Sequence, residues 1–284
     1  MIFLNNSMHA RIVNRLKLMS VVRLGYKSRV LNTTFKIPVI ENNEGLIYHL
    51  GVGEPYLLEV FSDLYKSRKY VFLDAGVNFG QTLLKIKAVA PDAPYIGFEP
   101  SGLCSYYTSL LIKTNALTNA KLIRCALSNK PGVLTLFAQA EGDTRATVLA
   151  NSFATGKDLF QELVPAVTLD SLVPVVTASG KDIILKVDVE GAEWMVFQGA
   201  ESFITEYKPV IVFENLPYQD DVDKQQRQQF ISAFLGTKGY NIYLIDEEKK
   251  KLQAITAINN KQDFLRTNYL AITGEQSSQF KLLP

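Results

Sequence analysis

Short apolar segments alternate with amphipathic segments along the middle of the chain. From residue 70 onward this pattern predicts a strand over 70–74, a helix over 79–89, a strand over 95–99, a helix over 102–115 and a strand over 121–125. The alternation resumes with a strand over 182–188, a helix over 192–206 and a strand over 210–213. Continuous apolar strands are typical of a sheet that helices cover on both faces. We therefore predict an α/β fold with a mostly parallel sheet.

Further predicted elements flank this alternation. They are a strand pair over 35–50 around the turn 41–45, a helix over 54–66, a strand over 132–139, a helix over 222–235, and strands over 240–245 and 268–272. The last two strands are expected to pair antiparallel at the sheet edge. Between residues 140 and 157 the chain is polar and has little periodicity. Loops of that length are typically functional or mobile, so a substrate lid is one hypothesis and a plain surface excursion is the other.

Charge is distributed unevenly along the chain. Its 284 residues, 47% of them hydrophobic, suffice for one large or two small globular domains. Residues 1–40 contain seven lysines and arginines and no acid, whereas the rest of the chain carries 23 basic and 28 acidic residues. We predict a basic N-terminal arm and accessory segment over 1–50 and a main domain over 51–284. Apolar residues within the arm predict an amphipathic helix that contacts a membrane surface or an anionic glycan, or packs on the main domain or on a second subunit.

The lack of recognisable targeting signals and the low cysteine content predict a cytoplasmic protein. No uninterrupted apolar run approaches the roughly 18 residues needed to cross a bilayer, and the first residues lack the features of a secretory signal. Cys104 and Cys125 are too few for a disulfide framework, so both are expected to be buried thiols. We expect at most peripheral membrane contact through the basic arm and no nucleic-acid partner, while a homo-oligomer stays open.

The segment 71–82, VFLDAGVNFGQT, has the pattern of a strand, a glycine turn and a helix start. Gly76 and Gly80 let the backbone bend sharply and approach a ligand, and the helix start presents unpaired N–H groups. The carboxylate of Asp74 disfavours a phosphate at this turn. The spacing G-x-x-x-G also lacks the middle glycine of a dinucleotide fingerprint and the Gly-Lys-Ser/Thr of a triphosphate loop.

A second acid, Glu99, ends the next predicted strand and is followed by Pro100. A carboxylate at this place can accept both hydroxyl groups of a ribose, and the proline turns the chain so that the carboxylate stays in the crevice at the strand ends. Two acids and a glycine turn suit a ligand with a ribose and a positive charge but no phosphates. S-adenosylmethionine has this combination of chemical groups and is the predicted cofactor. An NAD-dependent sugar dehydrogenase or epimerase is the alternative enzyme.

Five sequence blocks together carry a family resemblance. They are residues 74–82, 98–100, 126–128, 168–170 and the K-x-D-x-E-G-A-E block 186–193. In this order, from about residue 70 to residue 215, they resemble the FkbM family of S-adenosylmethionine-dependent methyltransferases. The resemblance implies a class I methyltransferase fold, which is Rossmann-like, for the main domain. It also implies O-methylation of a hydroxyl group on a sugar, a glycan or a glycosylated natural product.

The candidate site residues follow from the strand ends and from the resemblance. Cofactor contacts are expected from Asp74, Gly76, Asn78, Gly80, Thr82, Glu99, Pro100, Ala126, Leu127 and Asp188. Methyl transfer needs alignment of the acceptor and removal of its proton. Asp188, Glu190 and Glu214 are the predicted catalytic acids, with Asp188 or Glu190 as the proton acceptor. The alternative for Glu190 and Glu193 is that they stabilise the helix start. Lys186, in an apolar strand, is expected to pair with a neighbouring carboxylate.

A second pattern resembles the metal-binding pattern of catechol-type O-methyltransferases, with a glutamate in place of an aspartate. It consists of Asp188, Glu214 and Asn215. Oxygen ligands of this kind would suit magnesium. The catechol-type pattern has a lysine where this chain has Gly191, so a reaction without a metal is the favoured prediction. A non-catalytic module that binds a glycan or a membrane through the same fold is the remaining alternative.

Overall fold

The computed structural model describes residues 2–4, 24–40, 55–150, 158–180 and 182–277. The strands are β1 (Ile2–Leu4), β2 (Leu24–Val30), β3 (Thr33–Pro38), β4 (Val71–Ala75), β5 (Tyr95–Phe98), β6 (Ala120–Ile123), β7 (Ala126–Leu127), β8 (Gly132–Ala138), β9 (Phe160–Val167), β10 (Ile183–Val187), β11 (Val210–Glu214), β12 (Tyr240–Asp246), β13 (Lys251–Ile255) and β14 (Asn268–Thr273). The helices are α1 (Pro55–Ser67), α2 (Gln81–Val89), α3 (Gly102–Thr114), α4 (Val173–Val176), α5 (Glu193–Gln198), α6 (Glu201–Tyr207), α7 (Val222–Thr237) and α8 (Gly274–Ser277). Most predicted elements are present within a few residues of their expected bounds.

An eight-stranded sheet forms the centre of the fold, in the order β13-β12-β14-β11-β10-β4-β5-β6. Strand β4 lies between β10 and β5, is parallel to both, and is buried at every residue. Strands β6, β5, β4, β10 and β11 all run in one direction. Strand β14 runs antiparallel to both β11 and β12, which confirms the predicted pairing of the last two strands. The arrangement confirms the expected class I methyltransferase fold.

Helices cover both faces of this sheet. On one face, Phe61 of α1 and Tyr107 of α3 lie in the same apolar core as Phe72 of β4. On the other face, Phe197 of α5 shares a core with Leu73 of β4. Since neighbouring residues of a strand point to opposite faces, β4 must be apolar on both sides. The continuous apolar runs in the sequence are explained by these two cores.

The predicted helix over 192–206 is in fact two helices, α5 and α6. Gly199 separates them and lies against the main chain of Ser128: a Cβ on this glycine would come within 1.9 Å of the Ser128 carbonyl oxygen. Helix α6 then begins with a cap from another part of the chain, since Asp170 accepts the main-chain N–H of Phe203 at 2.8 Å. The prediction of one helix was wrong because both contacts join distant residues and leave the local periodicity unchanged.

The N-terminal strands β2 and β3 form an antiparallel hairpin. Tyr26 and Phe35 are buried in the same core as α3, and Tyr107 donates its hydroxyl to the Pro38 carbonyl at 2.8 Å. Strand β3 thus pairs with the preceding strand, a pairing that was not predicted, while the predicted pairing within 35–50 falls largely on residues that the structure does not describe. Residues 41–50 and most of the predicted arm helix lie outside the described residues. The division of the chain at residue 50 stays a prediction.

A smaller sheet, in the order β7-β9-β8, lies beside the cofactor edge of the fold. Neither β9 nor the edge strand β13 was predicted, because their polar and charged residues interrupt the apolar pattern. The segment after β8 folds back, and Thr147 pairs with Phe137 in an isolated bridge. Within the described residues, no helix is both long and apolar enough to cross a membrane.

Candidate active site

A cavity of about 420 Å³ opens at the carboxyl ends of β4, β5 and β10. Open α/β sheets bind their ligands at this edge, and cavities of roughly 300–1,000 Å³ are typical of cofactor sites. Most of the predicted cofactor residues line it. They are Gly76, Asn78, Thr82, Glu99, Pro100, Ala126, Leu127 and Asp188. The strand-end residues that the sequence singled out therefore converge on one cavity.

Gly76 joins the first turn to the two neighbouring strands. Its N–H donates to the Phe98 carbonyl at 3.0 Å, and the Asp188 N–H donates to the Ala75 carbonyl at 3.0 Å. The glycine has φ +87°, and a Cβ there would lie 1.8 Å from the Asp188 carbonyl oxygen. Only glycine fits this position, because its missing side chain admits the main chain of Asp188 directly after β10.

Asn78 connects the glycine turn to three other parts of the site. Its main-chain N–H donates to Glu99 Oε2 at 2.7 Å, and its Nδ2 donates to the Thr144 carbonyl at 2.9 Å. The Thr108 hydroxyl donates to the Asn78 carbonyl at 2.9 Å. The turn is consequently fixed before any ligand binds, and the segment after β8 is held over it.

Glu99 lies at the cavity wall with both carboxylate oxygens engaged. One accepts the N–H of Asn78 and the other accepts the N–H of Ser101 at 2.8 Å. Burial raises the pKa of Glu99 to about 7, while these two hydrogen bonds act in the opposite direction. Each carboxylate oxygen has a second lone pair, so Glu99 can still accept ribose hydroxyl groups. Glu99 thus lines the cavity as an available acceptor, and its contact with the cofactor stays a prediction.

Asp74 and Gly80 are absent from the described residues that line the cavity. Asp74 is fully buried, accepts the Tyr95 hydroxyl and lies beside Lys186 of β10. Burial raises its pKa to about 6, against the opposing effect of the Lys186 ammonium. Gly80, with φ +83°, precedes α2, and a Cβ there would lie 2.9 Å from the Leu111 side chain. Asp74 belongs to a buried polar network and Gly80 shapes the turn, and direct contact of these two residues with the cofactor stays a prediction.

Buried lysines also belong to the cavity wall. Lys186 is 4% exposed, and its Nζ lies 2.6 Å from Asp188 Oδ2, as its place in an apolar strand predicted. Lys85 of α2 is 7% exposed and lines the same cavity, but the sequence did not single it out. Lysine is rarely buried this deeply, so a lysine on the apolar face of a predicted helix was the available signal. Cys104 and Cys125 are free buried thiols, as expected, and line the cavity as well.

Asp188, Glu190 and Glu214 meet at the next part of the sheet edge. One carboxylate oxygen of each lies within 4.8 Å of the other two. Burial raises the pKa of Glu190 to about 8 and that of Glu214 to about 9, and repulsion from Asp188 adds to both shifts. Thr267 donates to Glu214 at 2.9 Å. Glu190 has φ +55°, a backbone conformation that is uncommon outside glycine and concentrates at functional sites.

Glu193 has a different role from its neighbour Glu190. One of its oxygens accepts the N–H groups of Val189 at 3.1 Å and Gly191 at 3.0 Å. Its carboxylate therefore stabilises the turn that leads into α5, which is the alternative that the sequence left open for this residue. Burial raises its pKa to about 7, and these hydrogen bonds lower it again in part. Glu190 makes no such contact among the described residues.

A second cavity, of about 330 Å³, adjoins the first. Glu190 and Thr147 line both cavities. The second cavity is also lined by Arg145, Glu193, Asn215, Lys224, Arg227 and Phe264. The segment 139–150 thus borders both spaces, which is where a substrate lid would lie. Its movement stays a prediction.

Crowding of the acids should make stability depend on pH. Because the pKa of Glu214 is raised from 4.5 to about 9 in the folded chain, this group binds more protons when folded than when unfolded. Its contribution to stability is therefore complete at low pH and is lost as the pH rises toward its folded pKa. Glu214→Gln should gain stability relative to the wild type as the pH rises from about 4.5 to about 9, because only the wild-type side chain releases a proton over this range.

Urea unfolding of the ligand-free protein at several pH values measures this difference. Glu248→Gln is the control, because the Glu248 side chain is 83% exposed and lies outside both cavities. A difference between Glu214→Gln and the wild type that stays constant across the range contradicts the assignment.

The fold and the cavity at its strand ends define a class I methyltransferase. Residues 74–242 match the family model of the methyltransferase FkbM domain, which covers more than half of the 284 residues. The chain belongs to the FkbM methyltransferase family. The match confirms the resemblance and the prediction of an S-adenosylmethionine-dependent enzyme, and it decides against the dehydrogenase or epimerase alternative.

Individual relatives are similar over most of this chain. Methyltransferase sdnD of Sordaria araneosa is 29% identical in an alignment of length 195 that covers 60% of this chain and 73% of that protein. The crystal structure of methyltransferase FkbM from Methylobacillus flagellatus matches 72% of this chain with a TM-score of 0.45 and 13% identity, and this chain spans only 43% of its length. Precorrin-6y C5,15-methyltransferase from Geobacter metallireducens matches 77% of this chain and 88% of its own, with a TM-score of 0.42 and 12% identity.

Proposed function

We propose that this enzyme transfers a methyl group from S-adenosylmethionine to a hydroxyl oxygen of a sugar, a glycan or a glycosylated natural product. The position of Glu190 carries the proposal, since this acid lines both the strand-end cavity and the adjoining second cavity. The first cavity is suited to the cofactor and the second to the acceptor. A carboxylate between the two is placed to receive a proton from the reacting hydroxyl.

The residues of the first cavity fit the cofactor. Glu99 is the expected partner of the ribose, and Ala126 and Leu127 offer apolar contact for the adenine. The buried ammonium groups of Lys85 and Lys186 supply positive charge for the carboxylate of the methionine portion. Gly76 and Asn78 shape the turn against which the ligand would lie.

Bound S-adenosylmethionine supplies a methyl group that its sulfonium has made electrophilic. In the transfer, a bond forms between the acceptor oxygen and the methyl carbon, and the carbon–sulfur bond breaks with its electron pair on sulfur. The hydroxyl proton goes to Glu190, and S-adenosylhomocysteine remains. Asp188 is less suited to take the proton because its Oδ2 already contacts Lys186 at 2.6 Å. Asp188 and Glu214 instead contribute to the electrostatic environment of Glu190.

The carboxylate oxygens of the acid cluster are also the kind of ligand that a hard cation prefers. Asp188, Glu190 and Glu214 offer carboxylate oxygens within 4.8 Å of one another, and magnesium takes such oxygens. Asn215, the other candidate ligand, lines the second cavity together with Glu190. The reaction without a metal stays a prediction, and activity that survives treatment with EDTA would support it.

Binding of S-adenosylhomocysteine tests the cofactor site. Glu99→Gln removes the charge but keeps one acceptor oxygen, and Glu99→Ala removes both oxygens. We expect the dissociation constant to rise roughly 10-fold to 100-fold for the alanine variant and less for the glutamine variant, because hydrogen bonds to a charged group are lost. Isothermal titration calorimetry measures both.

Glu162→Gln is a matched control for these variants. Glu162 also accepts a main-chain N–H at the start of α3, from Gly102 at 3.1 Å, but it does not line the cavity. Affinity should therefore stay at the wild-type value. Wild-type protein that binds no S-adenosylhomocysteine contradicts the proposed function, and unchanged affinity in Glu99→Ala contradicts the assigned residue.

Several finer expectations belong to the same proposal. They are a cytoplasmic location, peripheral membrane contact at most, a homo-oligomer as an open option, no nucleic-acid partner, and a methyltransferase domain over 51–284 after a basic arm over 1–50. The non-catalytic alternative predicts binding of S-adenosylhomocysteine without methyl transfer to any member of a broad glycan panel. Transfer to one sugar hydroxyl decides against it.

A further inference from the structure

The second cavity contains positive charge in addition to its acids. Lys224 and Arg227 of α7 line it, and Arg145 reaches it from the segment after β8. Lys224 and Arg227 are three residues apart in a helix and so lie on the same helical face. Glu190 and Glu193 line the same cavity. Charges of both signs thus meet in one space of about 330 Å³.

Lys224 and Arg227 make no ion pair within the part of the chain that the structure describes, although both are only partly exposed. Arg145 differs, since it lies 3.6 Å from Asp143 Oδ1. The acids of the cavity are therefore too far from the α7 cations for contact. Partly buried charged groups are often paired, and the described residues offer these two cations no anionic partner, so an anionic ligand can bind them.

Asn215 supplies an independent observation in the same cavity. Its side chain is only 5% exposed. Its Oδ1 is buried and accepts no hydrogen bond within the described structure. A buried carbonyl oxygen without a donor is unfavourable by roughly 1–3 kcal/mol, and a ligand hydroxyl can satisfy it. The cavity thus offers a place for a hydroxyl group and a separate place for an anion.

We propose that the acceptor carries an oxyanion, a carboxylate or a phosphate, which Lys224 and Arg227 bind while a neighbouring hydroxyl faces Glu190 and Asn215. This inference rests on the proposed function and narrows its acceptor to an acidic sugar. A guanidinium group forms two parallel hydrogen bonds to such an anion, and an ammonium adds a point charge. The size of the cavity suits a small ligand.

Phe264 adds a contact of a different kind. Its ring is 59% exposed although it borders this cavity. An exposed aromatic face beside polar groups is suited to pack on the apolar face of a sugar ring. The three features together, two cations, an unsatisfied amide oxygen and an aromatic ring, match a negatively charged sugar better than a neutral one.

Calorimetry with matched probes tests the proposal. Protein saturated with S-adenosylhomocysteine is titrated with p-nitrophenyl glucuronide, p-nitrophenyl glucoside 6-phosphate and the neutral p-nitrophenyl glucoside. We expect at least one acidic probe to bind roughly 10-fold or more tightly than the neutral probe, because charge-assisted hydrogen bonds form to it. Preference for the glucuronide or for the phosphate tells which oxyanion the site takes.

Arg227→Gln and Lys224→Gln should each remove most of this preference and leave the affinity for S-adenosylhomocysteine unchanged. Arg124→Gln is the control, since Arg124 is exposed and lies outside both cavities. Equal binding of acidic and neutral probes overturns the proposal, as does a preference that survives both variants. Preferential binding of a short RNA hairpin that depends on Arg227 also overturns it, in favour of a polyanion. Failure of the wild type to bind S-adenosylhomocysteine is a separate result, which overturns the proposed function.

Discussion

Gly76→Ala is expected to prevent folding or to lower the unfolding temperature by roughly 10 °C or more. A Cβ at this position would lie 1.8 Å from the Asp188 carbonyl oxygen and 2.9 Å from its carbonyl carbon. Both atoms belong to the main chain, so β4 and the end of β10 must move apart and strain the hydrogen bond between Asp188 and Ala75. Overpacking typically costs roughly 1–3 kcal/mol and occasionally more, and the left-handed conformation adds about 1–2 kcal/mol. Each kcal/mol is worth about 2–4 °C in a large domain.

Gly239→Ala separates the steric clash from the backbone strain. Gly239 has φ +79°, nearly the same as Gly76 with φ +87°, but a Cβ on it would meet nothing within 4 Å. Its substitution should therefore cost only the left-handed conformation, about 1–2 kcal/mol. Circular dichroism during heating compares the two variants. An equal decrease in unfolding temperature in both variants would show that the clash with Asp188 does not contribute to the destabilisation.

Gly76 shows what could and could not be predicted from the sequence of the glycine turn alone. The sequence pattern predicted a strand, a turn and a helix, and the structure has all three. The pattern also predicted that the glycine admits a ligand, and the structure adds a second reason for a glycine, since its missing side chain admits the main chain of Asp188 directly after β10. Local sequence cannot distinguish these reasons, because the strand that comes closest is more than 100 residues away in the chain.

The same distinction between local and distant causes explains the other elements. The apolar periodicity of β4, β10 and β11 is local, and these strands were predicted. The break at Gly199 depends on Ser128, and the start of α6 depends on Asp170. The pairing of β3 with β2 likewise could not be read from the segment 35–50 alone. Tertiary contacts decide such features, and one sequence does not display them.

The acids of the site were predictable because topology brings them together. Parallel strands end at one edge, so acids that follow β10 and β11 must lie near one another, and Asp188, Glu190 and Glu214 do. The direction of a side chain was less predictable. Asp74 was expected at the cofactor, and its side chain lies in a buried polar network. The cations Lys224 and Arg227 were missed altogether, since they lie within an ordinary polar helix and belong to no motif.

Glu190→Gln is expected to lower the rate of methyl transfer by roughly 10²–10⁴-fold, the usual contribution of a general base. Glutamine has nearly the shape of glutamate but cannot accept the proton. In the wild type the rate should rise with pH and level off above about pH 8, because burial raises the pKa of Glu190 to about 8 and only the ionised form is a base. Transfer of a labelled methyl group to the acidic sugar that binds best measures both effects.

The pH profile separates a proton acceptor from a merely structural acid. If Glu190 takes the proton, Glu190→Gln should lose the rise with pH while it still binds S-adenosylhomocysteine, and Glu248→Gln should keep the wild-type profile. Asp188→Asn gives a less direct result, because it also changes the contact with the buried Lys186 at 2.6 Å. A Glu190→Gln enzyme that retains the pH-dependent rise would move the role of base to Asp188 or Glu214. The shared position of Glu190 on both cavities would then reflect the binding of the acceptor rather than the removal of its proton.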